Sequence, residues 1–121
     1  MKYLVVDDSK MARKMTIKSL KNIISEEDEI FEASNGQEAV DLYKEINPNL
    51  CLMDLTMPIM DGFEATLNIK SFDSNARIII ISADIQEASI EKSKKNGAIG
   101  FIKKPINFDN LESMLNKLGL I

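Results

Sequence analysis

Five polar side chains stand at the ends of short apolar runs in this sequence, and they are Asp7, Asp8, Asp54, Ser82 and Lys104. Runs this short, rich in branched aliphatic residues and separated by longer polar stretches, are typical of buried parallel strands that alternate with helices. In an open parallel sheet, ligands bind just outside the carboxyl ends of the strands. Three carboxylates, a hydroxyl and an ammonium group are therefore expected at one edge of the sheet. Such a set suits a divalent cation and a phosphoryl group.

The three aspartates would repel one another at that edge, and at least one of them would tend to keep its proton. A divalent cation relieves this repulsion, and Mg²⁺ prefers oxygen ligands from one or two carboxylates, waters and a substrate phosphate. Because adjacent residues at a strand end point to different sides, one of Asp7 and Asp8 should bind the ion directly and the other through water. The alternative is that Asp8 or Ser9 only caps the next helix. Asp54 on the neighbouring strand favours the metal site.

Asp54 also begins the stretch Asp-Leu-Thr-Met-Pro-Ile-Met-Asp-Gly, in which Pro58 and Gly62 indicate a tight loop before a helix. A carboxylate can attack phosphorus and form an aspartyl phosphate. This transfer depends on positioning and on neutralising charge, for which Lys104 offers a cation and Ser82 a hydroxyl donor. Taken singly, Ser82 is typical of a strand-end cap and Lys104 of a solubility charge. Their joint position after the last two strands favours the chemical role.

The composition excludes several other classes of function. The chain has 121 residues, enough for one domain with its own core, and a formal net charge of −4, which argues against nucleic acid as its partner. Its apolar runs are too short to span a membrane, and no signal-peptide pattern is present. Cys51 is the only cysteine and histidine is absent, which excludes an internal disulfide, a cysteine zinc site and an autophosphorylating histidine. A reduced, cytoplasmic setting is expected.

Five strands and five helices are expected to alternate along the chain. The strands start near Tyr3, Glu29, Leu50, Arg77 and Ile99, and the helices fit roughly residues 9–24, 36–46, 62–72, 85–96 and 108–118. Ser34 stands three residues before Gln37, the spacing of a capping box at the second helix. Gly97 suits a left-handed C-cap, and Asn107 suits the N-cap of the last helix. Because no linker or repeat divides the sequence, residues 1–121 are predicted to form one domain.

The first helix is predicted to have two different faces. The face toward the sheet carries Ala12, Thr16, Leu20 and Ile23. The nearly opposite face carries Lys10, Lys14, Lys18 and Lys21, with Met11 and Met15 at the boundary. The lysine face is either a solvated surface or a docking surface for an acidic partner, in which the methionines would provide adaptable contacts.

Four segments give the chain a family resemblance, and they are residues 5–9, 54–62, 81–83 and 100–105. They read Val-Val-Asp-Asp-Ser, the aspartate stretch quoted above, Ile-Ser-Ala and Gly-Phe-Ile-Lys-Lys-Pro. Over essentially its whole length the sequence resembles the receiver domains of two-component response regulators, of the chemotaxis-regulator type. The resemblance implies an α/β fold that is flavodoxin-like: a doubly wound, five-stranded parallel sheet of order 2-1-3-4-5 with five helices.

The resemblance also implies roles for individual residues. Asp54 would accept a phosphoryl group from a phosphohistidine on a sensor histidine kinase or a histidine phosphotransfer protein, docked on the first helix. Mg²⁺, for which Mn²⁺ can substitute, would be bound by Asp8, Asp54 and the Thr56 backbone carbonyl, with Asp7 acting through water. Lys104, followed by a cis bond to Pro105, would bind the phosphoryl group. Ser82 would be the switch hydroxyl and Phe101 the switch aromatic, and Thr56 and Asp84 would line the pocket and set the phosphoryl lifetime.

The output surface is expected on the fourth helix, the last strand and the last helix. Ile85 and Ala88 form a thin apolar face on the fourth helix, so this helix should be weakly held and easily shifted. Lys92, Lys94, Lys95 and Lys103 give the same region positive charge. A downstream protein that binds there is therefore predicted to be acidic. The flagellar motor, a phosphorelay and an attached effector domain all remain open as the output.

Three other functions share parts of this pattern. In a flavodoxin-like electron carrier, Asp7 and Asp8 would repel the flavin phosphate. A phosphatase with an aspartyl-phosphate intermediate needs a second carboxylate two residues after the nucleophile, where this chain has Thr56. A degenerate receiver would act only as an unphosphorylated interaction module, yet this chain has a suitable residue at every position that phosphoryl transfer requires. The chain is therefore expected to be a signalling domain that catalyses only its own phosphoryl transfer and autodephosphorylation.

Overall fold

Strands and helices alternate along the whole chain in the computed structural model, which describes residues 1–121. The elements are β1 Lys2–Val6, α1 Lys10–Lys21, β2 Glu29–Ala33, α2 Gly36–Ile46, β3 Leu50–Met53, α3 Gly62–Phe72, β4 Ile78–Ser82, α4 Glu87–Lys95, β5 Gly100–Lys103 and α5 Phe108–Lys117. The predicted number, type and order of the elements are confirmed. No helix combines the length and the apolar character needed to cross a membrane.

The strands form one parallel sheet in the order β2-β1-β3-β4-β5, as expected for the doubly wound, flavodoxin-like fold. In the register of this sheet Val6 lies beside Met53, and the Asp54 amide donates to the Val6 carbonyl over 2.9 Å. Asp7 and Asp54 therefore leave neighbouring strands at the same level. At the other side of the sheet Ser82 pairs with Lys103, so Lys104 follows at the same edge.

Two apolar layers cover the sheet because successive side chains of each strand point to opposite faces. One layer packs β-strand residues such as Leu4, Met53 and Ile80 against α2 and α3. The other packs residues such as Val5 and Leu52 against α1 and α5. Strands β3 and β4 are buried along their full length. Each fully buried aliphatic side chain contributes about 1.5–3 kcal/mol, so the strand ends have a rigid base.

The ends of two helices differ from the prediction. Helix α1 stops at Lys21, not near residue 24, because the amides of Ile23 and Ile24 both turn back to the Leu20 carbonyl. These isoleucines still pack in the α1 and α5 layer. Helix α4 begins at Glu87, two residues later than expected, after an N-cap residue that forms no side-chain hydrogen bond.

Capping of α2 also shifts by one residue. Its N-cap is Asn35, whose side chain accepts from the Glu38 amide over 2.9 Å, so the prediction of Ser34 as the cap is wrong. The Ser34 hydroxyl instead donates to the Glu38 carboxylate over 2.8 Å. The caps expected farther along are confirmed: Gly97 has a φ of 107°, and Asn107 caps α5 in a capping box.

Candidate functional site

Three carboxylates meet beyond the ends of β1 and β3, as the sequence predicted. One oxygen from each of Asp7, Asp8 and Asp54 can be chosen so that all three lie within 4.8 Å of one another. Asp7 and Asp54 are only 4% and 5% exposed, while Asp8 is open to solvent. The donor set is entirely oxygen and carries more negative than positive charge, which fits a hard divalent cation such as Mg²⁺.

Asp7 is held on three sides. Its Oδ1 accepts from the Ser9 amide over 2.9 Å, and its Oδ2 accepts from Lys104 Nζ over 2.8 Å. Its backbone carbonyl accepts from Arg13 Nη1 over 2.6 Å, and the same guanidinium pairs with Glu32 at 3.0 Å. Asp8 forms no side-chain hydrogen bond and is therefore free to take a direct ligand position.

Lys104 bridges the two buried carboxylates. Its ammonium nitrogen lies 2.8 Å from Asp7 Oδ2 and 3.3 Å from Asp54 Oδ1, and its backbone amide donates to the Ser82 carbonyl over 2.9 Å. Partial burial alone would lower the pKa of Lys104, but hydrogen bonding and attraction from Asp7 and Asp54 raise it. The ammonium group therefore stays charged. Lys103 is exposed and forms no ion pair with these carboxylates, and the Lys104–Pro105 bond is cis.

The ionised form of Asp54 is disfavoured in the folded protein. Burial, followed by the nearby charge of Asp7, raises the pKa of this carboxyl to about 6, although Lys104 and the Leu55 amide favour the ionised form. The Leu55 amide donates to Asp54 Oδ1 over 2.9 Å. One cation shared between two buried carboxylates does not balance them, so a second cation in the site would be attracted strongly.

Two glycines allow the loop after Asp54 to pack tightly. A Cβ at Gly62 would overlap the Asp54 carbonyl oxygen, and one at Gly36 would overlap the Met60 carbonyl oxygen. The amides of both glycines donate into this loop, to Leu55 and Met60, over 2.8 and 2.9 Å. The role of Gly62 in a tight loop was predictable from the sequence, but that of Gly36 was not, since no local pattern shows that α2 starts against the β3–α3 loop. Thr56 is exposed in the same loop.

Ser82 ends β4 and is 2% exposed. Its hydroxyl oxygen accepts from the Asp84 amide over 3.0 Å. The Asp84 carboxylate accepts from the Gln86 amide over 3.0 Å and from the Ser89 hydroxyl over 2.6 Å. Both carboxylate oxygens of Asp84 are therefore bound at the start of α4.

The buried side of α4 differs from the prediction. Ile85 is 52% exposed and Ala88 is also exposed, so the expectation that they form the apolar face of this helix is wrong. Because α4 starts only at Glu87, Ile85 lies in the preceding loop. The one buried residue of the helix is Ser93, whose hydroxyl donates to the Ser89 carbonyl over 2.8 Å. Phe101 is half-buried and packs against the α2 and α3 layer.

Comparisons with known proteins agree with this geometry. Residues 3–116 match the response regulator receiver domain. The chain is 50% identical over 103 residues to the chemotaxis protein CheY of Halobacterium salinarum, which covers 84% of this chain and 82% of that protein. It is 42% identical over 118 residues to the chemotaxis protein CheY of Thermotoga maritima, and the match covers 96% of this chain and 95% of that protein.

Two crystal structures extend the similarity to three dimensions. The CheX-CheY-BeF3-Mg+2 complex from Borrelia burgdorferi gives a TM-score of 0.84 at 33% identity, covering 98% of this chain and 89% of that chain. The response regulator protein TrrA from Thermotoga maritima, in complex with Mg(2+)-BeF, gives a TM-score of 0.83 at 32% identity, with 97% of both chains covered. This chain belongs to the family of response regulator receiver domains.

Proposed function

We propose that this chain is a phosphoacceptor of two-component signalling, in a chemotaxis-type pathway, that receives a phosphoryl group on Asp54. The observation that carries the proposal is the position of Lys104, whose ammonium group lies between Asp7 and Asp54 beside the third carboxylate, Asp8. A buried carboxylate that already touches a cation is prepared to react with a phosphoryl group and to have the new charge neutralised. The similarity to chemotaxis CheY proteins supports the pathway class.

In the proposed reaction the donor is a phosphohistidine of a sensor histidine kinase or a histidine phosphotransfer protein. The bond from phosphorus to the donor nitrogen breaks while a bond forms to an Asp54 oxygen, and the donor imidazole keeps the electron pair. Lys104 shifts from its ion pair with Asp54 to a phosphoryl oxygen, and the Ser82 hydroxyl donates to another. Later attack by water on phosphorus releases inorganic phosphate and restores the Asp54 carboxylate. Thr56, exposed at the entrance, would influence the approach of that water.

The residues present fit a magnesium ion. Asp8, Asp54 and the Thr56 backbone carbonyl would hold it directly, and Asp7 through water, while Mn²⁺ would substitute in the same oxygen set. When bound, the ion supplies positive charge that offsets the carboxylates and the phosphoryl oxygens. Asp7 is well suited to the indirect position because both of its carboxylate oxygens already accept hydrogen bonds.

The phosphodonor would dock on α1 beside the site. Met11 and Met15 are 74% and 45% exposed on this helix, next to its exposed lysines. A cavity of about 310 Å³, lined partly by Ala12, Met15 and Pro105, adjoins Lys104 and would receive an apolar side chain of the donor. A downstream protein would bind α4, β5 and α5. Neither nucleic acid nor a membrane is proposed as a partner, and residues 1–121 would act as one receiver domain in the cytoplasm.

The test uses a small phosphodonor, acetyl phosphate, and mass spectrometry of the intact protein. We expect a mass gain of one phosphoryl group in the presence of Mg²⁺ or Mn²⁺, none after chelation, and none in Asp54→Asn. Asp61→Asn is the matched control, because Asp61 is an exposed aspartate of the same loop and caps α3. Peptide mapping should place the adduct on Asp54. Labelling that persists in Asp54→Asn, or that ignores the chelator, would contradict the proposal.

A further inference from the structure

A chain of hydrogen bonds connects the end of β4 to the first turn of α4. Ser82 Oγ accepts from the Asp84 amide at 3.0 Å, and Asp84 Oδ2 accepts from the Ser89 hydroxyl at 2.6 Å. The second oxygen, Asp84 Oδ1, accepts from the Gln86 amide at 3.0 Å. The bond from Ser89 is short, as expected when a hydroxyl donates to an ionised carboxylate.

The first turn of α4 has little else to hold it. Its N-cap, Gln86, provides no side-chain hydrogen bond, and Ile85, Glu87 and Ala88 are exposed. The Asp84 carboxylate therefore supplies two hydrogen bonds beside this helix N-terminus, to the Gln86 amide and the Ser89 hydroxyl, and its negative charge is favoured there by the helix dipole.

The other end of α4 is attached differently. Asn96 Nδ2 donates to the Phe63 carbonyl of α3 over 3.0 Å, and Lys92 Nζ lies 4.5 Å from the centre of the Phe63 ring. These contacts fix the C-terminal half of α4 to α3 and do not involve Asp84. A change at Asp84 would therefore be felt mainly in the first turn of the helix.

We propose that Ser89 is a positioning residue for the phosphoryl site, which holds the Asp84 carboxylate against α4 and away from Asp54. This inference rests on the proposed function of Asp54. With Ser89 in place, both oxygens of Asp84 accept hydrogen bonds from residues at the start of α4, which fix the orientation of the carboxylate, so hydrolysis of the phosphoryl group on Asp54 is slower. Without the Ser89 hydroxyl, the half-buried carboxylate at Asp84 becomes free to turn toward the site. There it accepts a proton from the attacking water as the water oxygen bonds to phosphorus. The bond between phosphorus and the Asp54 oxygen breaks, Asp54 keeps the electron pair, and inorganic phosphate leaves.

The first experiment measures the decay of phosphorylated protein after the donor is removed. We expect Ser89→Ala to lose its phosphoryl group severalfold faster than the wild type, and Ser89→Thr, which retains a hydroxyl, to behave like the wild type. Ser113→Ala is the matched control, since Ser113 is an exposed serine of α5 whose side chain forms no hydrogen bond. An unchanged decay rate in Ser89→Ala would overturn the inference.

A double-mutant cycle separates positioning from a general structural effect. If Ser89 acts through Asp84, Ser89→Ala should have no effect on the decay rate once Asp84→Ala is present. An equal effect in both backgrounds would show that Ser89 does not act through Asp84 and would refute the role.

Amide hydrogen exchange of the unphosphorylated protein tests the contact without any phosphoryl chemistry. We expect faster exchange at the hydrogen-bonded amides of Gln86, Ser89 and Ile90 in Ser89→Ala and in Asp84→Ala, with no change around Asn96. Exchange that stays the same at these three amides would overturn the inference even if Asp54 accepts phosphate. Failure of the wild type to take up phosphate would instead refute the proposed function, and the exchange result would still report on the contact.

Discussion

The charge on Asp54 is only partly compensated by its neighbours. Lys104 is shared with Asp7, and burial raises the pKa of the Asp54 carboxyl to about 6. A carboxyl whose pKa is higher in the folded protein than in the unfolded chain binds more protons when folded. Its contribution to stability is present at pH values below the unfolded pKa of about 4 and is lost as the pH rises through about 6. At neutral pH the ionised Asp54 therefore destabilises the metal-free protein.

Asp54→Asn should for this reason be more stable than the wild type at pH 7.5 in the presence of a chelator. We expect a gain in the free energy of unfolding of about 1–3 kcal/mol, because one pKa unit corresponds to about 1.4 kcal/mol. The gain should disappear near pH 4 and shrink when Mg²⁺ is added. Urea unfolding at the two pH values measures it, with Glu45→Gln as a control for an exposed carboxylate. If Asp54→Asn and the wild type had the same free energy of unfolding at pH 7.5 as well as near pH 4, the ionised Asp54 would not be destabilising and the prediction would be wrong.

Lys103, the last residue of β5, and Lys104, which follows it, should differ sharply in their effect on phosphoryl uptake. Lys104 contacts both buried carboxylates, whereas Lys103 is exposed and forms no ion pair with them. Lys104→Ala should slow phosphoryl uptake from acetyl phosphate by roughly 10²-fold, the usual loss when one charge-stabilising donor is removed. Lys103→Ala should stay within about twofold of the wild type, since an exposed lysine contributes little. A larger defect in Lys103→Ala than in Lys104→Ala would show that Lys104 does not serve the reaction.

At the scale of the elements, the sequence predicts the fold well and the helix ends less well. The apolar runs that end at Val6, Met53 and Ile81 are short and continuous, a pattern typical of buried parallel strands. Helix ends depend on single hydrogen bonds, which several nearby residues can form. Ser34 and Asn35 are both good cap residues, and in the structure Asn35 is the cap, directly before Gly36, which packs against the Met60 carbonyl. For the same reason the contact between Asp84 and Ser89 could not be read from the sequence.

Substitutions at Asn35 and Ser34 test which of the two residues caps α2. Asn35 accepts from the Glu38 amide, is 7% exposed, and donates through Nδ2 to the Glu38 carboxylate over 3.0 Å. Asn35→Ala should lower the free energy of unfolding by about 1–2 kcal/mol. Ser34→Ala removes only a hydrogen bond at the surface and should cost less than about 0.5 kcal/mol. Thermal or urea unfolding of the two variants measures the difference, and a greater loss in Ser34→Ala would restore the cap predicted from the sequence.

At the scale of the whole molecule, a rigid sheet holds the site and one weakly attached helix lies beside it. The cluster of Asp7, Asp8, Asp54 and Lys104 was predictable because parallel strands bring their carboxyl ends to one edge of the sheet. The contacts that hold the cluster in place were not predictable. The Arg13–Glu32 ion pair and the packing of Gly36 against Met60 join elements that are distant in sequence. Helix α4 buries only Ser93, so it is the element that a change at the site can shift most easily.

The route from Asp54 to α4 can be tested with beryllofluoride as a phosphoryl mimic and amide-resolved NMR. In the wild type we expect shifts at the site and also in α4 and at Phe101, because Ser82 must give up its bond from the Asp84 amide when its side chain turns toward the new oxygens. In Ser82→Ala the mimic should still bind at Asp54, yet the shifts in α4 and at Phe101 should largely disappear. Thr66, buried on α3, serves as a reference in the rigid part of the fold. Because α4 buries only Ser93, its first turn should respond readily to a change at Ser82. Shifts confined to the loops at the site in the wild type would mean that α4 does not respond, and would refute this route.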